Sequence, residues 1–506
     1  MTESVGHVVI VGGGTAGWLS AAMIAAHHKG HRPDGLKVTL VESSDIPTVG
    51  VGEGTWPTMK NTLQKIGIDE KTFFARCHST FKQGGKFIDW HTGNDDAYYH
   101  PFTVPIAYER LDLAPYINDL THFALETNFQ HHICEAGLGP RSLTDPDFQG
   151  PCNYAYHLDA GEFAELLKQH ATEKLGVHHL VDTVSNVSLS SDGFIDAITL
   201  EQTGKLSGDF FVDCTGFASR LLGQALGVPF KPMDSVLFND RAIAVQAPYA
   251  DERSPIPCHT LATAKAAGWI WDIGLTHRRG TGHVFCSDFI SEDEAEFTLR
   301  QYLDLNASEA DSRVIKFSSG HRACWWKKNC VAVGMSAGFV EPLEATAIML
   351  VELSARFISE NLPADRHTMA IMEKRFNQAM SYRWQRIIDF LKLHYMLNNR
   401  PEPYWRAHRD PASIPESLKE DLAVWATRGP QTADFDSALE LFPAASYQYV
   451  LYGMGFRPDF SSQAWLYDQQ RLAQQVFTRN QQLTRQLLDS LPSHRDLIDR
   501  WLSQAA

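Results

Sequence analysis

The stretch VVIVGGGTAGW, residues 8–18, decides how the rest of the chain is read. Val8, Val9, Ile10 and Val11 form an apolar, largely β-branched run, the signature of a parallel strand buried on both faces. The run breaks into glycines, and Thr15, Ala16, Gly17 and Trp18 then open a helix. Gly12, Gly14 and Gly17 keep the G-x-G-x-x-G spacing of a turn whose helix N–H groups meet a dinucleotide pyrophosphate. Gly12 permits the tight turn, Gly14 leaves room for the pyrophosphate, and Gly17 lets helix and strand pack closely. Such a unit needs an acid at the end of its second strand to hold the adenosine ribose. KVTLVE, residues 37–42, supplies Glu42 there.

The chain around this motif has 506 residues, 44% of them apolar, enough for one large core or two joined ones. Its formal charge of −15, from 45 basic and 60 acidic residues, argues against nucleic acid as a partner. The eight cysteines form no Cys-x-x-Cys pair, which points to a reducing compartment and no structural zinc. The first strand follows without a cationic, apolar leader, and no uncharged apolar run reaches the length of a membrane span. A cytoplasmic, membrane-free protein is the expectation.

Beyond Glu42 the chain reads IPTVGVGEGTWP, residues 46–57, where glycines alternate with small or acidic residues. The composition suits backbone lying flat against a cofactor, and equally a surface loop. A short helix is expected over 58–66. In TFKQGGKFIDWH, residues 80–91, two strands or one bulged strand carry Lys82, whose type and setting also suit a surface lysine with its stem laid along the protein. The aromatic- and histidine-rich segment 92–151 reads as an insertion lining a substrate region, its histidines hydrogen-bonded structural groups. Residues 178–187 read as one strand. Residues 210–217 end a core strand in Asp213 and a glycine turn, with a helix expected over 219–227, so that Asp213 meets the same cofactor from another edge.

Residues 228–310 alternate short apolar runs with turns, as an antiparallel sheet does. Within them GWIWDIGL, residues 268–275, puts Trp269 and Trp271 on one strand face, as core or as a pocket wall. A further strand, 330–333, runs into Gly334, Gly338 and Phe339. EPLEATAI, residues 341–348, then reads as a helix start whose free N–H groups are open to an anion, with Glu344 in its first turn also a candidate helix-dipole partner. Residues 347–360 and 367–397 are strongly helical, and an amphipathic pair covers 464–502. There is one G-x-G-x-x-G and no second, so no resident site for a nicotinamide donor is evident.

These separated motifs resemble the flavin-dependent halogenases of the tryptophan halogenase family, from Val8 to about Gly455. GGGTAGW resembles the family's FAD fingerprint, with Gly12, Gly14, Thr15, Ala16, Gly17 and Glu42 as cofactor contacts. VGVGEGTWP, residues 49–57, resembles its flavin strap and adds Val49, Gly50, Gly52 and Glu53; Asp213, Gly334, Gly338 and Phe339 complete the set. Lys82 matches the catalytic lysine and Glu344 the catalytic glutamate, while the amides of Thr346 and Ala347 match the halide-binding pair. GWIWDIGL is similar to the W-x-W-x-I-P signature, with Gly274 in place of proline.

The resemblance implies an α/β fold. It joins an FAD-binding Rossmann-like module, of the class A monooxygenase or glutathione reductase kind, to a substrate sheet and a mainly helical C-terminal subdomain. The expected division assigns 1–110, 151–230 and 311–360 to the FAD module, and 111–150, 231–310 and 361–506 to the substrate-binding part. The implied activity is FADH2-dependent halogenation of an electron-rich arene such as indole or tryptophan, using O2 and chloride or bromide by way of hypohalous acid. Lys82 would hydrogen-bond that species or carry it as a haloamine, and Glu344 would polarise it and take the arene proton. The partners implied are a separate NAD(P)H-dependent flavin reductase and a small aromatic substrate, with the chain a monomer or homodimer and no metal. An approximate alignment on Gly453 to Gly455 sets Phe442 in the substrate pocket, Ser437 near the family's glutamate and Gly429-Pro430 near its tyrosines, which reads as an open, apolar site. The rival readings are an FAD-dependent aromatic hydroxylase, which needs neither Lys82 nor the halide turn, and a non-catalytic flavoprotein.

Overall fold

The computed structural model describes residues 5–44, 52–305, 310–436 and 438–503. Its contacts divide the chain into two compact units, each assembled from three separated stretches: 1–79, 158–233 and 318–384 in the first, 80–157, 234–317 and 385–506 in the second.

The first unit is built on a six-stranded sheet. Its order is Trp326–Lys327, Cys330–Ala332, Phe210–Asp213, His7–Val11, Lys37–Glu42 and His178–Val181, parallel throughout except for the terminal hairpin. Val8, Val9 and Ile10 are fully buried because His7–Val11 is central, pairing Val9 with Phe211 on one side and Thr39 on the other. Helix Thr15–His27 is buried from Gly17 to Ala25, apolar on every face because it packs against both Ala160–Lys174 and Thr346–Glu360. Two small antiparallel sheets complete the unit. One joins Val184–Leu189, Ile195–Leu200 and Gly204–Ser207, and the other Phe230–Pro232, Gly320–Arg322 and Gly338–Phe339.

The second unit is organised on a seven-stranded sheet in the order Ser312–Lys316, Arg241–Pro248, Arg278–Phe285, Gly268–Gly274, Thr260–Lys265, Gly84–Ile88 and Ala97–Pro101. Only the Thr260–Lys265 and Gly84–Ile88 pair is parallel. Helix Glu292–Leu303, started by a Ser291/Glu294 capping box, covers this sheet with Ala295, Leu299 and Leu303 on Ile243, Val245, Ile270 and Phe285. The remaining helices include Pro403–His408, Glu416–Arg428, Ala444–Gly453, Gln470–Ser490 and His494–Ser503.

Several expectations shift. Residues 80–110, assigned to the FAD module, pack in the second unit, because Gly84–Ile88 pairs with Thr260–Lys265; residues 361–384 pack in the first. The segment 80–91 keeps one of its two expected forms, two strands, Thr80–Lys82 and Gly84–Ile88, with Gly84 at φ +149° opening the second. Residues 178–187 form two strands, broken where Asp182 turns its carboxylate onto the amides of Thr183, Gln202 and Thr203. The helix after Asp213 is a π-helix, Arg220–Ala225. Among the described residues no helix is long and apolar enough to cross a membrane, and no cluster of histidine, cysteine and carboxylate side chains is arranged to hold a metal ion.

Candidate active site

In the first unit the glycine turn has the geometry its spacing predicts. Gly12 sits at φ +116°, and a Cβ there would lie 2.1 Å from the Cys214 carbonyl oxygen. A Cβ on Gly17 would lie 1.8 Å from the Gly12 oxygen, so only glycine lets the helix press onto the turn. Gly14, the N-cap of Thr15–His27, is different: a Cβ there would meet nothing within 4 Å. Its helix start carries no side-chain cap, which leaves the first-turn N–H groups to a ligand. A Cβ on Gly13 would come within 1.6 Å of a Glu42 carboxylate oxygen. Gly13, which the spacing rule skips, therefore makes the space in which the Glu42 carboxylate lies. Glu42 is steadied by His179 Nε2 at 2.7 Å and Lys168 Nζ at 3.7 Å. Gly334 reaches the same place, where a Cβ would lie 2.7 Å from the Ala16 Cβ. Open space at Gly14, an uncapped helix and a carboxylate at the neighbouring strand end together fit an FAD pyrophosphate and ribose.

Asp213 has another employment. Its buried carboxylate accepts from the Thr215 amide and hydroxyl, the Ser219 hydroxyl and the Leu221 and Leu222 amides. Those donors occupy it in holding the Cys214 turn that abuts Gly12, so it shapes the site through the turn. Phe339 stands edge-on to Phe217 at 5.5 Å, and Gly338 lets Gly338–Phe339 close on Gly320–Arg322. Val49 and Gly50 lie outside the described residues. Of the strap, Gly52–Gly54 is a short strand, and burial raises the Glu53 carboxyl to about 7.

The same unit builds the EPLEATAI turn. Residues Pro342–Glu344 form a 3₁₀ turn, Ala345 takes a left-handed conformation at φ +54°, and helix Thr346–Glu360 starts with no side-chain cap. Glu344 and Thr346 are buried and Ala347 is exposed. The Trp56 indole N–H donates to the Glu344 carbonyl at 2.8 Å, tying the end of the strap to the turn. Farther along the helix, buried Glu352 accepts from Thr58 Oγ1 at 3.1 Å and Thr62 Oγ1 at 2.5 Å, and burial raises its carboxyl to about 7. Neither Trp56 nor Glu352 was singled out by motif. The signal for Glu352 was legible, an acid in the apolar run IMLVELSA.

Lys82 belongs to the second unit. Its side chain is buried, not laid along the surface, and its Nζ stands 5.2 Å from the centre of the Phe102 ring. Strand Thr80–Lys82 pairs antiparallel with Ala155, Tyr156 and His157. Trp269 and Trp271 share one face of the seven-stranded sheet and are buried, 6.5 Å apart between ring centres, with Trp90 next to Trp269. A Cβ on Gly282 would strike the Trp271 ring at 2.0 Å, so this glycine makes room for it.

Phe442, expected to border a substrate pocket, lies in the second unit. Phe442 is fully buried and stacks on Phe390 at 4.0 Å, a core contact. Charged and phenolic groups are present and buried beside it: Arg386 pairs with Asp421 and Glu440 and lies over the Phe435 and Tyr447 rings. The Arg386 guanidinium is thus paired with acids of its own unit. Ser437 lies outside the described residues. The histidines of 92–151 are mixed: His100 bonds Ser446 at 2.8 Å, whereas neither nitrogen of buried His131 finds a partner among the described residues, and burial lowers its pKa to about 2.

Comparison with known proteins agrees with this assembly. The family model described as tryptophan halogenase matches residues 7–467. The 7-chloro-L-tryptophan 6-halogenase KtzR of Kutzneria sp. (strain 744) is 35% identical over 97% of this chain and 99% of its own. Among solved structures, the tryptophan halogenase of Shewanella frigidimarina NCIMB 400 superposes with a TM-score of 0.94 at 44% identity, covering 99% of this chain and 98% of that one. Tar14, a tryptophan C-6 flavin-dependent halogenase (chlorinase) from taromycin biosynthesis, gives 0.89 at 32%, covering 99% and 100%. The chain therefore belongs to the tryptophan halogenase family and is a flavin-dependent halogenase.

Proposed function

We propose that this enzyme places chlorine or bromine on an electron-rich aromatic ring of the indole class, tryptophan or bare indole, using O2 and reduced FAD delivered by a separate NAD(P)H-dependent reductase. The observation that carries the reading is the uncapped start of Thr346–Glu360 beside buried Glu344, in the unit that also holds the glycine cradle. A hydroxylase needs no halide site. When bound, the flavin supplies two electrons that, with the two released as halide and arene join, reduce O2 to water.

The chain's own residues then have these parts. Gly12, Gly14, Thr15, Ala16 and Gly17 hold the pyrophosphate, Glu42 the ribose, and Gly52, Glu53, Gly334, Gly338 and Phe339 border the ring-bearing end. Asp213 acts indirectly by capping its turn. The amides of Thr346 and Ala347 hold the halide, where a helix N-terminus favours an anion. Lys82 donates a hydrogen bond to the hypohalous acid and directs its halogen, and Glu344 accepts the proton leaving the arene. Trp269 and Trp271 stiffen the sheet as buried packing. KtzR and Tar14 are named for tryptophan-type substrates, which supports the indole class.

The test incubates the protein with FAD, a flavin reductase, NADH, O2, and chloride or bromide, offering tryptophan and indole in parallel. Product mass rising by one halogen less one hydrogen is expected. A gain of one oxygen instead would assign the chain to the hydroxylases.

A further inference from the structure

We propose that His494, in the helix His494–Ser503 near the end of the chain, is a positioning residue that fixes Lys82 by accepting the backbone N–H of Phe81. The inference rests on the reading of Lys82 as catalytic. His494 lies beyond residues 7–467, the span matched by the family model.

The strand Thr80–Lys82 is short, and three residues of pairing do not by themselves fix a buried lysine. The chain supplies anchors on both sides of Lys82. The Phe81 amide donates to His494 Nε2 at 3.1 Å, and the Gln83 amide donates to the Cys258 carbonyl at 2.8 Å. Amides two residues apart on a strand face the same edge, so both anchors grip one edge of the backbone that carries Lys82. Thr80 Oγ1 adds a bond to the Gly274 carbonyl at 2.6 Å.

The imidazole is itself held in the form this task needs. Its Nδ1 lies 3.0 Å from the Ile256 carbonyl oxygen, which can only accept, so Nδ1 carries the proton, and the Phe81 N–H aimed at Nε2 requires the lone pair of that nitrogen. The Cys258 thiol, 3.4 Å from Nδ1, donates to the Leu138 carbonyl at 3.3 Å. The segment 256–258 therefore serves both anchors, through Ile256 on His494 and Cys258 on Gln83. The same helix grips the Phe81 side chain, whose ring stacks on Trp501 at 5.9 Å and meets Tyr154 edge-on at 5.0 Å. Because successive side chains alternate, a Phe81 ring locked on one face sets Lys82 on the other, over Phe102.

Two substitutions separate this role from general packing. In H494Q the side-chain carbonyl reaches the place of Nε2 and can still accept; in H494N it stops at the place of Nδ1. We expect H494N to lower the kcat of halogenation by about 10-fold, as a small misplacement of a reacting group does. Its KM for the arene and its rate of reduced-flavin oxidation should stay near wild type. H494Q should recover to within about three-fold of wild-type kcat on the same argument. Wild-type kcat in H494N, or H494Q as impaired as H494N, overturns the proposal. K82M measured alongside tests the reading beneath it: if K82M still halogenates, the catalytic role of Lys82 falls, whatever the His494 variants do. If H494N does not fold, hydrogen exchange on the wild-type chain decides, since a Phe81 amide exchanging as fast as an open one refutes the bond.

Discussion

Replacing Glu352 with glutamine should stabilise the protein above pH 7 and leave it nearly unchanged below about pH 4.5. Glu352 is buried on helix Thr346–Glu360, its carboxyl raised from 4.5 to about 7 by desolvation, against which the Thr58 and Thr62 hydroxyls compensate only in part. Below 4.5 the carboxyl is protonated in the folded and unfolded chain alike, and its uncharged form suits the site. Between 4.5 and 7 the unfolded chain releases this proton while the folded chain keeps it, so stability falls as pH rises. Above 7 the full cost is present, about 3 kcal/mol for a shift of this size. Glutamine has the shape of the protonated acid and keeps an oxygen for one threonine while its amide donates to the other, so it removes the titration without opening a cavity. For a unit of this size the gain corresponds to roughly 6–12 °C in Tm. Thermal melts of wild type and E352Q at pH 4.5 and pH 8.5 read it directly. An equal difference at the two pH values, or a destabilised variant at pH 8.5, would refute the desolvation argument.

Other expectations follow from single contacts. Gly14→Ala adds a methyl that meets no protein atom, so the apo-protein should melt as wild type while FAD affinity in a fluorescence titration drops at least about 10-fold; unchanged affinity would remove Gly14 from the cradle. Gly17→Ala drives its methyl into the Gly12 carbonyl and should lower Tm even without FAD, so equal melting of the two variants contradicts the assignment. Trp56→Phe keeps one aromatic ring but loses the indole N–H and its bond to the Glu344 carbonyl, about 1 kcal/mol. It should weaken halide dependence of the rate by about five-fold, with FAD binding retained; an unaltered halide KM would disconnect the strap from the turn. Lys82→Ala should abolish halogenated product in mass spectra while FAD still binds, and retained product would end the role given to Lys82.

Local sequence reads well where function depends on neighbours along the chain. The strand, turn and helix of residues 7–27, the helix Thr58–Ile66 and the start of Thr346–Glu360 were all legible, because glycine spacing, apolar runs and a proline-led turn act over a few residues. Burial was harder to read. Lys82 and Glu344 looked equally suited to a surface stem and a dipole partner, and only the packed fold shows both enclosed. Phe442 is a related case, since an aromatic placed by distant alignment gives no sign of which ring packs on it, here Phe390.

The sequence by itself determined the glycine turn, the helix start at Thr346 and the family, because each is written in a short run of residue types. Only the tertiary structure decided what holds them. Trp56 on Glu344 and His494 on Phe81 join residues 288 and 413 positions apart, and Gly13 is small because Glu42 lies over it. Bonds of that span follow no periodicity along the chain, since they exist only once strands from three separated stretches have come together in one unit.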